Sequence, residues 1–163
     1  LSSGASDDAP SGTSASSSGS SGGDGGSDSS SAGSSGEGGG GGPPPSVSIS
    51  FPLDGITVGS VMGAVPVSFE TANFILVPPG DPSCADSSEL CGHVHLFVDG
   101  SACSPPGQAY NDDGESSPID AILTSCPSVG GSHTAVLELH HNDHSPVLGP
   151  DGVVSASVTF SAI

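Results

Sequence analysis

The chain has 163 residues with 18 acidic side chains and 6 histidines but no lysine or arginine, for a formal net charge of -18 with the histidines neutral. Without a cationic side chain it cannot neutralise phosphates, which argues against nucleic acid and anionic membrane surfaces as partners and disfavours small anionic substrates. A surface of that sign concentrates cations, so metal ions are the ligand class to look for.

Residues 1–45 are dominated by serine and glycine, punctuated by Asp7, Asp8, Asp24, Asp28 and Glu37, with Leu1 as the one large apolar side chain. Such a stretch cannot bury a core and is expected to be a disordered linker or stalk. As a Gly/Ser coil it would have an end-to-end distance of roughly 35–40 Å. Pro43, Pro44 and Pro45 then stiffen the entry to the folded part. Residue 1 is Leu rather than Met and no apolar signal segment precedes it, so the chain reads as a processed, exported one. The stalk resembles the tether that follows the lipidated cysteine of bacterial surface lipoproteins. That resemblance implies an extracellular or envelope location, with a lipid anchor before residue 1. Serines carrying O-linked sugars are the sharper alternative to a plain linker. No run of 18 apolar residues exists, so no transmembrane helix is expected.

Residues 46–163 read as one all-β domain. Val47, Ile49 and Phe51 alternate with serines, and after the turn-rich PLDG at 52–55 the same period returns at Val65, Val67 and Phe69. Further strands are expected over Phe74–Val77, Val94–Val98, Ile119–Leu123 and Thr134–His140. The last segment alternates Val154, Ala156, Val158, Phe160 and Ala162 with small polar residues. No segment carries a helical stripe. About seven short strands separated by Pro, Gly, Asn and Asp clusters point to an antiparallel β-sandwich of immunoglobulin-like type.

Cys84, Cys91, Cys103 and Cys126 all fall in this domain, an even number in turn-rich segments of a chain that reads as exported. Two disulfides are expected, Cys84 with Cys91 and Cys103 with Cys126 being the favoured one of three pairings. A thiolate metal site is the rival, but no CxxC pair supports it.

All of the histidines lie in two segments, GHVHLFVDG at 92–100 and SHTAVLELHHNDHSP at 132–146. On a strand His93 and His95 share one face about 7 Å apart, close enough to converge on one ion, while Val94, Leu96 and Val98 take the core face. Downstream, Ala135, Leu137, Leu139 and His141 share one face and Thr134, Val136, Glu138 and His140 the other. His133 begins that strand and His144 lies in the turn after it, so one site uses both only if the loop folds back. The candidate metal ligands are His93, His95, His133, His141 and His144, with His140, Asp99 and Asp143 as secondary ligands or hydrogen-bonding partners.

Residues 92–146 resemble a bacterial family of exported domains of unknown function, the DUF4399 type, in the glycine-histidine strand, a later G-x-H-T with alternating leucines, and a final histidine before a loop. The resemblance carries over to His93, His95, His133 and His144. His-x-His in a disulfide-bearing β-domain is also similar to copper-zinc superoxide dismutases, a correspondence limited to His93 and His95.

Copper and zinc are the candidate ions, copper by intrinsic affinity and zinc by availability. The NDDGES loop at 111–116 offers oxygen ligands for calcium but lacks the twelve-residue loop pattern and reads as a turn. No enzyme is expected: a superoxide-handling site lacks cationic guides here, the G-x-S-x-G at 19–23 is a product of Gly/Ser composition, and the many acids pick out no carboxylate pair. The alternative function is a structural or adhesive module of a surface layer or appendage, partnering other copies of itself or a surface protein through edge strands. Histidines that only fill strand positions, or that sense pH, are the blander readings of the same residues.

Overall fold

The computed structural model describes residues 42–84 and 90–163. The expected stalk therefore lies almost wholly outside the described residues. The described residues contain eleven strands. They are β1 (Ser46–Phe51), β2 (Thr57–Val58), β3 (Ala64–Ala72), β4 (Ile75–Leu76), β5 (Cys91–Val98), β6 (Asp112–Gly114), β7 (Ile119–Ile122), β8 (Gly131–His140), β9 (Leu148–Gly149), β10 (Gly152–Val153) and β11 (Ser155–Ala162). Two single 3-10 turns, Pro82–Cys84 and Leu123–Ser125, complete the set. Among the described residues no helix is long and apolar enough to cross a membrane.

Two of the three sheets enclose the core. One runs β1-β3-β7, the largest runs β2-β11-β8-β5-β4 with β6 also paired to β5, and β9 and β10 form a separate two-stranded ribbon. The long pairings are antiparallel, whereas β2 joins β11 and β4 joins β5 in short parallel contacts. Period-two patterning explains the assembly. Val65, Val67 and Phe69 from β3, Ile119 and Ala121 from β7, Val94, Leu96 and Val98 from β5, Ala135, Leu137 and Leu139 from β8, and Val158 and Phe160 from β11 form a single buried cluster. Each large aliphatic or aromatic side chain so buried contributes about 1.5–3 kcal/mol.

The structure departs from simple alternation at β5 and β6. Strand β5 has its core face as expected, yet His93 and His95 on its other face are also buried, at 0% and 3% exposure. Segments that fold over that face, described below, account for it. The NDDGES segment, expected to be a turn, contains β6, which pairs with β5 in the register His95 to Asp113 and Leu96 to Asp112. Asn111 holds the segment in place from within the core: its backbone NH donates to the Leu96 carbonyl at 2.7 Å, and its buried side chain donates to the carbonyls of Cys103 and Ile122.

The sulfurs pair as Cys84–Cys91 and Cys103–Cys126, leaving no free cysteine. The first disulfide fastens the 3-10 turn at 82–84 to the start of β5. The second fastens the turn after β5 to the chain just beyond the 3-10 turn at 123–125.

Candidate metal centre

Three histidines from two separate segments meet on the outer face of β5. The Nε2 atoms of His93 and His95 are 2.9 Å apart, and the Nδ1 of His144 lies 3.2 Å from the first and 3.1 Å from the second. His93 and His95 arrive by strand alternation. His144 arrives because β8 ends at His140 and the chain reverses: the His141 NH donates to the Ser145 carbonyl at 2.8 Å and the His144 NH to the His141 carbonyl at 3.0 Å. His144 itself takes a left-handed backbone conformation, φ 64°, which turns its ring back toward β5. The loop is anchored from outside by Asn142, whose Oδ1 accepts from the Gly80 NH and whose Nδ2 donates to the Asp81 carbonyl.

A nitrogen triangle of this kind cannot satisfy itself. An imidazole nitrogen carries in the ring plane either one proton or one lone pair. Of three nitrogens facing one another, at least two must therefore be alike, two lone pairs or two N–H groups at hydrogen-bond distance. Three lone pairs aimed at one cation remove the conflict. An ion about 2.0–2.1 Å from each nitrogen brings them to N···N separations of about 2.9–3.3 Å for bond angles between a right angle and tetrahedral. The observed sides of 2.9, 3.1 and 3.2 Å lie within that range.

Electrostatics favour the ligating form. Burial, then the neighbouring His144, lowers the pKa of His93 to about 4. Burial, then His140, His93 and His144, lowers that of His95 to about 3. Both rings are neutral at physiological pH and keep lone pairs for a cation.

A ring of supporting groups surrounds the three. His140 stacks on His95 with ring centroids 3.8 Å apart, and Tyr110 packs on the same ring at 4.0 Å. The Nδ1 of His140 faces the backbone carbonyl of His144 at 2.9 Å, and its Nε2 faces the Glu138 carboxylate at 3.2 Å. His140 thus ties the loop that carries His144 to β8. Register places carboxylates on both sides of His95, Asp113 on β6 and Glu138 on β8. Gly92, with φ 151°, lies where a Cβ would collide with the His140 carbonyl oxygen. Only glycine admits this close approach of β5 to the end of β8.

The remaining sequence candidates fall elsewhere. His133 sits at the opposite end of β8, about 23 Å of strand away from His140. There it is buried on the core side, with Nδ1 2.8 Å from Asp99 Oδ2 and Nε2 3.3 Å from the Val129 carbonyl. A loop reversal after His140 can bring His144 back over β5 but cannot move a residue that begins the strand. Asp99, far from the three-histidine cluster, pairs with His133 and accepts the Thr134 NH as well. His141 points along the other side of its loop, lining a groove with Leu90, Pro146, Val147 and Leu148. Asp143 accepts the NH and hydroxyl of Ser145, which hold its carboxyl below the usual range and shape the turn. Sequence reasoning missed Tyr110 and Asp113 because strand alternation carries no register across strands, and it reached Glu138 only as a face-mate of His140.

No family model, curated protein or solved structure matches the chain.

Proposed function

We propose that residues 46–163 form an exported, non-catalytic module that binds one divalent transition metal ion, copper or zinc, through His93, His95 and His144. The observation that carries this reading is the triangle of three imidazole nitrogens with sides of 2.9–3.2 Å, which protons cannot satisfy and a cation can. Three nitrogen ligands leave at least one coordination position for solvent or a further donor. Copper has the higher intrinsic affinity for such a set, and zinc the greater availability outside the cell. The flanking carboxylates Asp113 and Glu138 add favourable charge, and the absence of any lysine or arginine leaves nothing to repel an incoming cation. Two disulfides suit an oxidising compartment.

Calorimetric titration of the full chain with Cu(II) and with Zn(II) tests the reading. One ion per chain, lost in the His93→Ala, His95→Ala double variant, is the expected result. Equal, weak uptake by both proteins would sink it. Because both rings are buried, His144→Ala on the exposed loop serves as the variant least able to disturb the fold.

A further inference from the structure

At the far end of β5 and β8 a second set of donors surrounds the Cys103–Cys126 disulfide. One donor atom from each of Asp99, Cys103, Cys126 and His133 lies within 4.8 Å of the other three. Asp99 Oδ2 stands between His133 Nδ1 at 2.8 Å and Cys103 Sγ at 3.6 Å. In the oxidised domain the sulfurs are bonded to each other and offer no thiolate. We propose that this disulfide is a reducible cover over a second metal site, and that the reduced chain binds one zinc-class divalent ion through Asp99, Cys103, Cys126 and His133.

Three features support it. The first is preorganisation that does not depend on the disulfide. Asn111, 1% exposed, donates to the Cys103 carbonyl at 2.6 Å and to the Ile122 carbonyl at 3.0 Å, and accepts the Ile122 NH at 2.7 Å. The Cys126 NH is held by the Leu123 carbonyl at 2.9 Å, one turn beyond Ile122. The two cysteine-bearing segments therefore stay side by side after the S–S bond opens, and the sulfurs need only separate to the spacing of two ligands on one ion, about 3.8 Å for Zn–S bonds of about 2.3 Å. The second feature is position. Cys84, Cys91 and Cys103 are buried residues, whereas Cys126 is half-buried, so the Cys103–Cys126 disulfide has one partner residue that reaches the surface. The third is charge. Releasing two sulfurs beside the Asp99 carboxylate, in a chain with no lysine or arginine, leaves only protons or a metal to neutralise the thiolates.

The chemistry balances with a thiol or a phosphine as reductant. Two thiol molecules reduce the disulfide to two cysteine thiols and become a disulfide themselves. A phosphine instead takes the oxygen of one water to become its oxide, and the two protons of that water go to the cysteines. Metal binding then displaces two thiol protons.

The test uses the full chain carrying His93→Ala and His95→Ala, so that failure here leaves the proposed histidine centre untouched. Oxidised and phosphine-reduced protein are titrated with Co(II), whose charge-transfer absorption reports thiolate ligation. The expected result is no such absorption before reduction and one Co(II) per chain with it afterwards. Adding Asp99→Asn or His133→Gln should weaken the binding about ten-fold or more, and Cys103→Ser should abolish the absorption. The proposal is overturned if the reduced chain shows no thiolate absorption or if the absorption survives Cys103→Ser. Affinity indifferent to both Asp99→Asn and His133→Gln, or unfolding on reduction that Zn(II) does not reverse, overturns it equally.

Discussion

The two ends of β8 present histidine in opposite settings. At the His140 end, imidazole nitrogens from His93, His95 and His144 face one another. At the His133 end, both ring nitrogens face oxygen acceptors, the Asp99 carboxylate and the Val129 carbonyl. At Nδ1 a nitrogen–oxygen pair is one that a single proton completes, and the contact with Asp99 fastens the turn after β5 to the start of β8. Nitrogen against nitrogen against nitrogen is a pairing that protons leave incomplete, and it calls for a cation. In the oxidised protein the same residue type is thus paired with oxygen at one end and arranged to accept a cation at the other, the difference lying in what each ring confronts.

The sharpest break of this contrast is His144→Ala. Losing one of three ligands should weaken Zn(II) or Cu(II) binding by at least about 100-fold, the upper end of what loss of an outer partner costs. The melting temperature of the metal-free protein should stay nearly constant, because His144 is exposed. A calorimetric titration paired with a thermal melt separates the two readouts, and unchanged affinity would remove His144 from the site.

Gly92→Ala attacks the approach of the strands that frame the centre. A methyl group directed at the His140 carbonyl, at a backbone angle that side chains rarely adopt, should destabilise the domain by about 1–3 kcal/mol. Metal affinity should fall with it, because His140 holds the loop that presents His144. Chemical denaturation followed by titration at a temperature where the variant is folded checks both parts.

His133→Ala is the reverse test. Removing a buried ring that partners Asp99 should cost about 1–3 kcal/mol of stability, while affinity for metal in the oxidised protein stays within two-fold or so of wild type. A large affinity loss would mean that the two ends are coupled, contrary to their separation along β8.

The smallest expected effect is a pH dependence. His93 and His95 titrate near 4 and 3 in the folded domain, against about 6.5 unfolded. Below pH 6.5 the unfolded chain therefore binds more protons than the folded one, and metal-free stability falls as the pH is lowered toward 4. Thermal melts at pH 7 and pH 5.5 should show a larger drop for wild type than for the His93→Gln, His95→Gln variant. Identical drops would show that these rings are not held neutral by burial.

Much of the architecture was legible in the residues. Alternation at 65–69, 94–98, 135–139 and 156–162 identified the core strands, since one buried face imposes a period of two wherever a sheet packs on another. The placement of His93 and His95 on a common face followed from the same rule. Of the three pairings the four cysteines allow, the one favoured from the sequence is the one that forms, between partners 7 and 23 residues apart. The β6 strand was not legible: Asp112 and Asp113 have little strand propensity, and they pair with β5 because Asn111 anchors them and Asp112 accepts the NH groups of Asp113 and Asp120.

By itself, then, the sequence determined a strongly anionic chain, a β-domain with two disulfides, and a pair of histidines on one face of one strand. Only the tertiary structure decided which distant histidine joins that pair. The decision depends on a reversal at 141–145 held by hydrogen bonds in which Asp143 accepts from Ser145, Asn142 accepts from Gly80 and donates to Asp81, and His140 meets the His144 carbonyl, and on the glycine at position 92 that lets β8 close in. The same reversal leaves His133 at the far end of β8, because a strand's length separates its ends whatever its loops do.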